Sequence, residues 1–303
     1  MRRFSVLALA AAAAAILIAG CAPGAAGGKP TVRVGSTNFS EQVVLAELYS
    51  QVLEASGYPI ERRFNLGSRE IVAPALETGQ IDMYPEYMAT YVTYLNPGDT
   101  TKASTDPVTT YRNLVDTLRG KNMTVLDYAP AVDTNGFVVT KTRSDRDNLK
   151  KVSDLTRFNG QLVLGGPPEC PQRPFCQVGL QNTYGVQMKE FKPLDVGGPL
   201  TVAALEANQI DVAVLFTTDA AIQVKNFVLL EDDKRLQNAD NVAPVVRNDL
   251  LDRALADFKP LVNGVTNRMT TEELTALNKQ VGVDRMDPKD AARDWLRAKQ
   301  LVR

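Results

Sequence analysis

The chain has 303 residues, with 34 Lys and Arg against 35 Asp and Glu, three cysteines and no histidine. The near balance of charge leaves no general field for nucleic acid or an acidic lipid surface, so neither is expected as an electrostatic partner. Without histidine the Ser-His-Asp and Cys-His routes to nucleophile activation are closed, as are histidine metal sites; no catalytic residue, cofactor or metal is expected.

In chain order, Met1-Arg2-Arg3 precedes an apolar run from Val6 to Ile18 and then Ala19-Gly20-Cys21. That is the order of a secretory signal, and the run is too short for a comfortable membrane span. Ile18-Ala19-Gly20-Cys21 resembles the bacterial lipobox, which implies removal of residues 1–20 and a lipid on Cys21. Residues 21–30 are rich in Ala, Gly and Pro, with no apolar face to bury, and read as a flexible tether. The remainder of the chain, from Thr31 onward, exceeds the ~100–150 residues of a typical domain and fits two lobes. With Cys21 assigned to lipid, Cys170 and Cys176 form an even pair in an oxidising compartment and are expected to be disulfide-bonded; two free thiols are the alternative.

Short β-like runs alternate with helical stretches: Thr31–Gly35, Glu61–Leu66, Met123–Leu126, Gly136–Val139, Gln161–Leu164, Val212–Phe216, Phe227–Leu230 and Ala243–Val246. The alternation predicts an α/β fold. Ser40 is placed to cap a helix whose Val44, Leu45, Leu48 and Val52 share a face, ended by Gly57 and Pro59. Pro85 is placed to open another helix, which would bring Tyr84, Tyr87, Tyr91 and Tyr94 near one face. Late in the chain, Thr270 and Glu273 have capping-box spacing, Asp287-Pro288 starts a helix, and Trp295 is expected in its core face.

An internal echo bears on the architecture. Ala75-Leu-Glu-Thr-Gly-Gln-Ile-Asp82 and Ala204-Leu-Glu-Ala-Asn-Gln-Ile-Asp211 agree at six of eight positions without a gap. Each leaves a helix for a strand, which predicts two lobes of similar α/β units with a cleft between them, where α/β sheets bind ligands. After the first copy come Tyr87 and Thr90, the former able to hold a cation over its ring. After the second come Phe216, Thr217, Thr218 and Asp219; Asp219 reads as an N-cap, and the threonines as donors to the cleft. Arg173, inside the Cys170–Cys176 loop, is a fork suited to a carboxylate.

Gly35-Ser-Thr-Asn-Phe-Ser-Glu-Gln42, Ile81-Asp-Met-Tyr-Pro-Glu-Tyr87, Tyr184-Gly185, Phe216-Thr-Thr-Asp219, Leu230-Glu-Asp-Asp-Lys234 and Pro244-Val-Val-Arg247 together carry a resemblance. The chain resembles the glycine betaine/carnitine/choline-binding proteins of osmoprotectant ABC transporters, the ProX and OpuC type. The resemblance implies a two-lobed periplasmic-binding-protein fold of type II, with two crossovers near Asn135–Val138 and Asn241–Pro244. Residues 31–136 and 243–303 would form lobe 1, and 137–242 lobe 2. It also implies an extracytoplasmic, monomeric, non-enzymatic receptor that closes on a small solute and delivers it to a permease with its ATPase.

Within that pattern Tyr87 matches one tyrosine of a cage around trimethylammonium, while the others fall on Asn135, Phe216 and Ala239. Thr37 stands where the family often has lysine, beside Asn38; Arg173 matches its carboxylate-binding arginine, and Thr90 is kept. Losing two rings weakens a cation site by roughly one to three orders of magnitude, and Asn135 suits a hydroxylated or amide-bearing ligand. The expected ligand is therefore a compatible-solute-type molecule, glycine betaine- or choline-like. The alternatives are a polyol, an amino-acid-like or hydroxylated aromatic ligand, or a sensory receptor without transport.

Overall fold

The computed structural model describes residues 28–303. Cys21, the signal segment 1–20 and most of the tether lie outside the described residues. Among the described residues no helix is long and apolar enough to cross a membrane.

Ten strands make two sheets of five. They are β1 (Val32–Gly35), β2 (Ile60–Arg63), β3 (Met83–Tyr87), β4 (Met123–Val125), β5 (Asn135–Thr140), β6 (Val163–Gly166), β7 (Glu190–Pro193), β8 (Val212–Phe216), β9 (Phe227–Leu229) and β10 (Val242–Arg247). The sheet orders are β2-β1-β3-β10-β4 and β7-β6-β8-β5-β9. In each, the first three strands are parallel and joined by helical connections, and the last two run antiparallel to their neighbours. The chain leaves the first sheet after β4, builds the second from β5 to β9, and returns at β10. Two crossovers, residues 126–134 and 230–241, thus join the lobes, and they touch at a Val132–Asn241 bridge.

The repeated octapeptide folds the same way twice, for the same reasons. Helix α1 (Ser40–Ala55) follows β1, and helix α2 (Arg69–Glu77) carries the first copy into β3; the helix Pro199–Glu206 carries the second into β8. Gly79 and Asn208, both at positive φ, end the two helices. Asp82 then exchanges bonds with Arg33, its N–H donating to the Arg33 carbonyl at 2.7 Å and its Oδ2 accepting from the Arg33 N–H at 2.8 Å. Asp211 does the same with Val163, at 2.8 Å each way. Ile81 and Ile210 press on Gly35 and Gly165, where an added Cβ would lie 2.5 and 2.6 Å from the isoleucine Cδ1. A side chain at either glycine would push the helix connection off its sheet.

Several expectations are corrected. Pro85 lies inside β3, opposite Pro244 of β10, and the helix, α3 (Met88–Leu95), starts after it. Proline is tolerated there because the two ring nitrogens face away from the bonds the strands share. The four tyrosines are therefore divided between a strand and a helix. Phe39, not Ser40, is the N-cap of α1, with no side-chain cap. Thr270 accepts from the Glu273 N–H, but the Glu273 carboxylate turns to Trp295 and Lys299, so the capping box is half formed. Asp287 and Asp219 cap as expected. Edge strand β7, Glu190-Phe-Lys-Pro, has too polar a composition to show in the sequence pattern. Cys170 and Cys176 are bridged, their Cα atoms 5.2 Å apart.

Candidate functional site

The ends of β1, β3, β5 and β8 and both crossovers converge between the lobes on a cavity of about 540 Å³. Thr37, Asn38, Tyr87, Thr90, Asn135, Arg173 and Phe216 line it. Tyr87 and Phe216 close β3 and β8 and occupy the same place in the repeat, so the two lobes each contribute one ring. Phe39 lies between them, 6.2 Å from Tyr87 and 5.0 Å from Phe216, and bridges the lobes. Tyr94 and Phe175 extend the aromatic wall, whereas Tyr84 and Tyr91 are wholly buried in the first lobe. Ala239 is buried and leaves its place without a ring.

Thr217 and Thr218 do not line the cavity; they stand behind it, holding carboxylates. Thr218 Oγ1 donates to Glu41 Oε2 at 2.6 Å, and its N–H donates to Asp133 Oδ1 at 3.1 Å. Thr217 Oγ1 donates to the same Asp133 oxygen at 3.1 Å. Glu41 also takes the Tyr87 hydroxyl at 2.5 Å and the Asn278 amide at 2.5 Å. It is a knot between α1, β3, the β8 turn and the helix Thr271–Asn278, so both lobes meet on one carboxylate. Burial pushes the Glu41 carboxyl up, against the pull of those three donors.

Three more carboxylates are buried at the cavity. Glu86 is saturated: Arg69 grips it with two bonds of 2.7 and 2.8 Å, the Tyr84 hydroxyl adds a third and the Tyr87 N–H a fourth. Asp133 ends the first crossover, two residues before β5, and Asp240 ends the second, two residues before β10. Asp240 Oδ1 accepts from the Thr90 N–H at 2.9 Å and its hydroxyl at 3.3 Å. Burial drives Asp133 well above the ordinary carboxylate range, helped by the Glu41 charge. Burial likewise pushes Asp240 up to about 7; the Thr90 N–H and the Arg69 charge oppose it, and Glu86 adds to it.

At the mouth, Arg173 Nη2 reaches across the cleft to Glu70 at 3.0 Å and lies 3.2 Å from Glu169 in its own lobe. The carboxylates it holds belong to the protein. Burial would raise the Glu70 carboxyl, but the Arg173 charge and the Ser68 hydroxyl outweigh it and hold it below its usual range. Asn135 spends its amide N–H on the Phe175 carbonyl at 3.0 Å.

Sequence reasoning missed Phe39, Arg69, Asp133, Phe175 and Asp240. The signal for the aspartates was present: each precedes a crossover strand by the same interval. That interval acquires meaning only once the strands are paired.

Residues 30–298 match the family model for the substrate-binding domain of ABC-type glycine betaine transport systems. The chain is 26% identical over 283 residues to a glycine-betaine-binding protein of Pseudomonas aeruginosa, covering 90% of this chain and 89% of that protein. It is 25% identical to the carnitine transport binding protein OpuCC of Listeria monocytogenes, over 97% of this chain and 94% of that one. A crystal structure described as a glycine betaine/carnitine/choline ABC transporter shares the fold with a TM-score of 0.70, at 24% identity over 90% of this chain and 99% of that chain. Lactococcal OpuAC in its closed conformation with glycine betaine superposes with a TM-score of 0.62, at 16% identity over 89% of this chain and 96% of that chain.

Proposed function

The chain belongs to the family of substrate-binding domains of ABC-type glycine betaine transport systems, and on that premise we propose that it is an extracytoplasmic receptor, lipid-anchored through Cys21. It captures a small polar solute between its lobes and delivers it to the permease and ATPase of an importer. The observation that carries the reading is the cavity itself: rings from both lobes and carboxylates from both crossovers surround one space of about 540 Å³, the size of a small-molecule site.

Closure by a hinge is consistent with how the lobes are joined. Opening would part Phe39 from Phe216, Arg173 from Glu70 and Thr218 from Glu41, while the two crossovers stay continuous. A solute that contacts both lobes then shifts the population to the closed form by its differential affinity for it. A lipid on Cys21 would raise the receptor's effective concentration beside its permease through the flexible residues 21–30.

Calorimetric titration of the mature chain against glycine betaine, choline, carnitine, proline betaine, polyols and amino acids tests the reading. A saturable heat with one class, together with compaction in small-angle scattering, is the expected result. Absence of heat with every class would remove the receptor role. Mass spectrometry of protein from membranes tests the anchor: a diacylglyceryl mass on Cys21 is expected, and a free thiol there would overturn it.

A further inference from the structure

The buried carboxylates around the cavity divide into two kinds by their hydrogen bonds. Glu41 and Glu86 have both oxygens occupied by protein donors. Asp133 and Asp240 are only 3% and 5% exposed, yet each takes protein donors on Oδ1 alone. Among the described residues nothing donates to Oδ2 of either, and both side chains line the cavity. Neither Oδ2 is itself a sealed, partnerless atom; each keeps some surface where the side chain lines the cavity, within reach of a donor on a ligand.

The common strand order of the two sheets, in which β10 and β5 hold the same place, makes this a matched pair. Each aspartate stands two residues before a crossover strand. Each hands Oδ1 to the backbone N–H of a residue just beyond a strand end, Thr90 after β3 and Thr218 after β8. The two crossovers touch here, the Asp133 N–H donating to the Asp240 carbonyl at 3.2 Å. Both side chains therefore border one space from neighbouring points on the two crossovers.

The rest of the lining points the same way. Glu70, Glu86, Asp133, Glu169 and Asp240 face Arg69 and Arg173 alone among the charged residues. Arg69 has its charge paired by Glu86 and also donates to Thr90, and Arg173 sits between two glutamates. Asn135 has given one of its two amide N–H donors to the Phe175 carbonyl. The Thr37 hydroxyl is buried in the wall without a partner among the described residues. Five carboxylates against two already paired arginines leave the lining rich in acceptors, between aromatic faces.

We infer that the solute is an organic cation with N–H donors, a protonated amine or guanidinium, whose head bridges Oδ2 of Asp133 and Oδ2 of Asp240. This deepens the receptor reading and rests on it. A fully methylated ammonium can use the rings but has no N–H to give, and it would leave both oxygens bare. A site built for hydrogen bonds rejects such an analogue steeply, because its own polar groups are left unpaired.

Two methylation series on fixed skeletons test this by titration of the mature chain: ethanolamine through choline, and lysine through Nε-trimethyllysine. Affinity is expected to fall with loss of N–H donors, by about tenfold or more from the first to the last member of a series, the scale of a lost charge-assisted bond. Asp133→Asn and Asp240→Asn should each weaken the best unmethylated cation by about tenfold or more, with folding checked by circular dichroism. The series itself needs no variant, so it decides even if one misfolds. Affinity that is flat or rises with methylation overturns the inference and leaves the receptor role standing. Silence in both series, with heat from glycine betaine or a polyol, does the same. Silence from every solute overturns both.

Discussion

The unit from β1 to β3 and its counterpart from β6 to β8 share a signature, a helix ending and a pair of backbone bonds to an aspartate, yet they differ in what lies under the cavity. In the register of the repeat, Arg69 and Glu86 of the first lobe correspond to Gly198 and Leu215 of the second. The first lobe therefore carries a buried ion pair where the second carries an apolar side chain in its core. The scaffold is kept by Ile-Asp and by the glycine each isoleucine covers. Arg69 and Glu86, the residues that differ here, line the cleft. A duplicated fold can thus hold a symmetric pair of aspartates on its crossovers while giving each lobe different support.

The largest effect should come from breaking the ion pair that only one lobe has. Arg69→Ala leaves Glu86 charged and buried with two of its donors gone, and should cost about 3–5 kcal/mol in denaturant unfolding. Adding Glu86→Gln should recover roughly half of that, because no unpaired charge remains. Equal losses in single and double variants would mean that packing, not charge, holds this wall.

The shared aspartates sharpen the comparison. Asp82 is buried and its Arg33 partner one-third exposed, whereas Asp211 keeps 28% of its side-chain exposure. Asp82→Ala should cost about 2–3 kcal/mol and Asp211→Ala about 1–2 kcal/mol, since water can replace part of what the second loses. Reversal of that order, read from urea midpoints, would break the correspondence between burial and cost.

Asp240→Asn should act in the opposite direction. In the folded chain Asp240 binds its proton up to about pH 7, well above an ordinary carboxylate, so between about pH 4 and about pH 7 the folded state holds more protons than the unfolded one. The contribution of this group to stability falls as pH rises through that window and is flat above it. The asparagine variant, which carries no charge to bury at this position, should be more stable than the parent by about 1–2 kcal/mol at neutral pH and above, and equal to it near about pH 4. Its cation affinity should fall by about tenfold or more at the same time. In the parent, cation affinity should drop on going from about pH 8 to about pH 6 as Asp240 takes up a proton. A variant that is less stable at all pH values would contradict the burial cost.

Smallest of all is the rim. Arg173 is partly exposed, so Arg173→Ala should change affinity for the best cation by only about two- to fivefold, seen in a faster off-rate that vanishes in high salt. A loss of a hundredfold would place the ligand's own carboxylate on this arginine.

Much of the fold is legible in the sequence, for reasons that differ by element. Strands β1, β4, β5, β8, β9 and β10 show because their apolar runs are bounded by turns. Strand β3 is expected after the first octapeptide copy, but its extent to Tyr87 does not show, because Tyr84-Pro85-Glu86-Tyr87 has no strand-like pattern; Glu86 there is paired by Arg69 and Tyr84 in three dimensions. Tyr87, Thr90, Asn135 and Phe216 are found from their places at strand ends. Thr217 and Thr218 are at the right turn, but their hydroxyls point to Asp133 and Glu41, and no local feature specifies that choice.

The two α/β units and their common register are written locally in the chain, since periodicity, helix ends and a repeated octapeptide act over a few residues, and the spare cysteine pair made the bridge an expectation that the fold bears out. Only the tertiary structure decided which acceptors remain open. Glu41 is filled by Tyr87, Thr218 and Asn278, which lie 46, 177 and 237 residues away, and Asp240 is half filled by Thr90, 150 residues away. Hydrogen-bond saturation depends on partners assembled by folding, so the free oxygens of Asp133 and Asp240 come into view only when both crossovers are closed against each other.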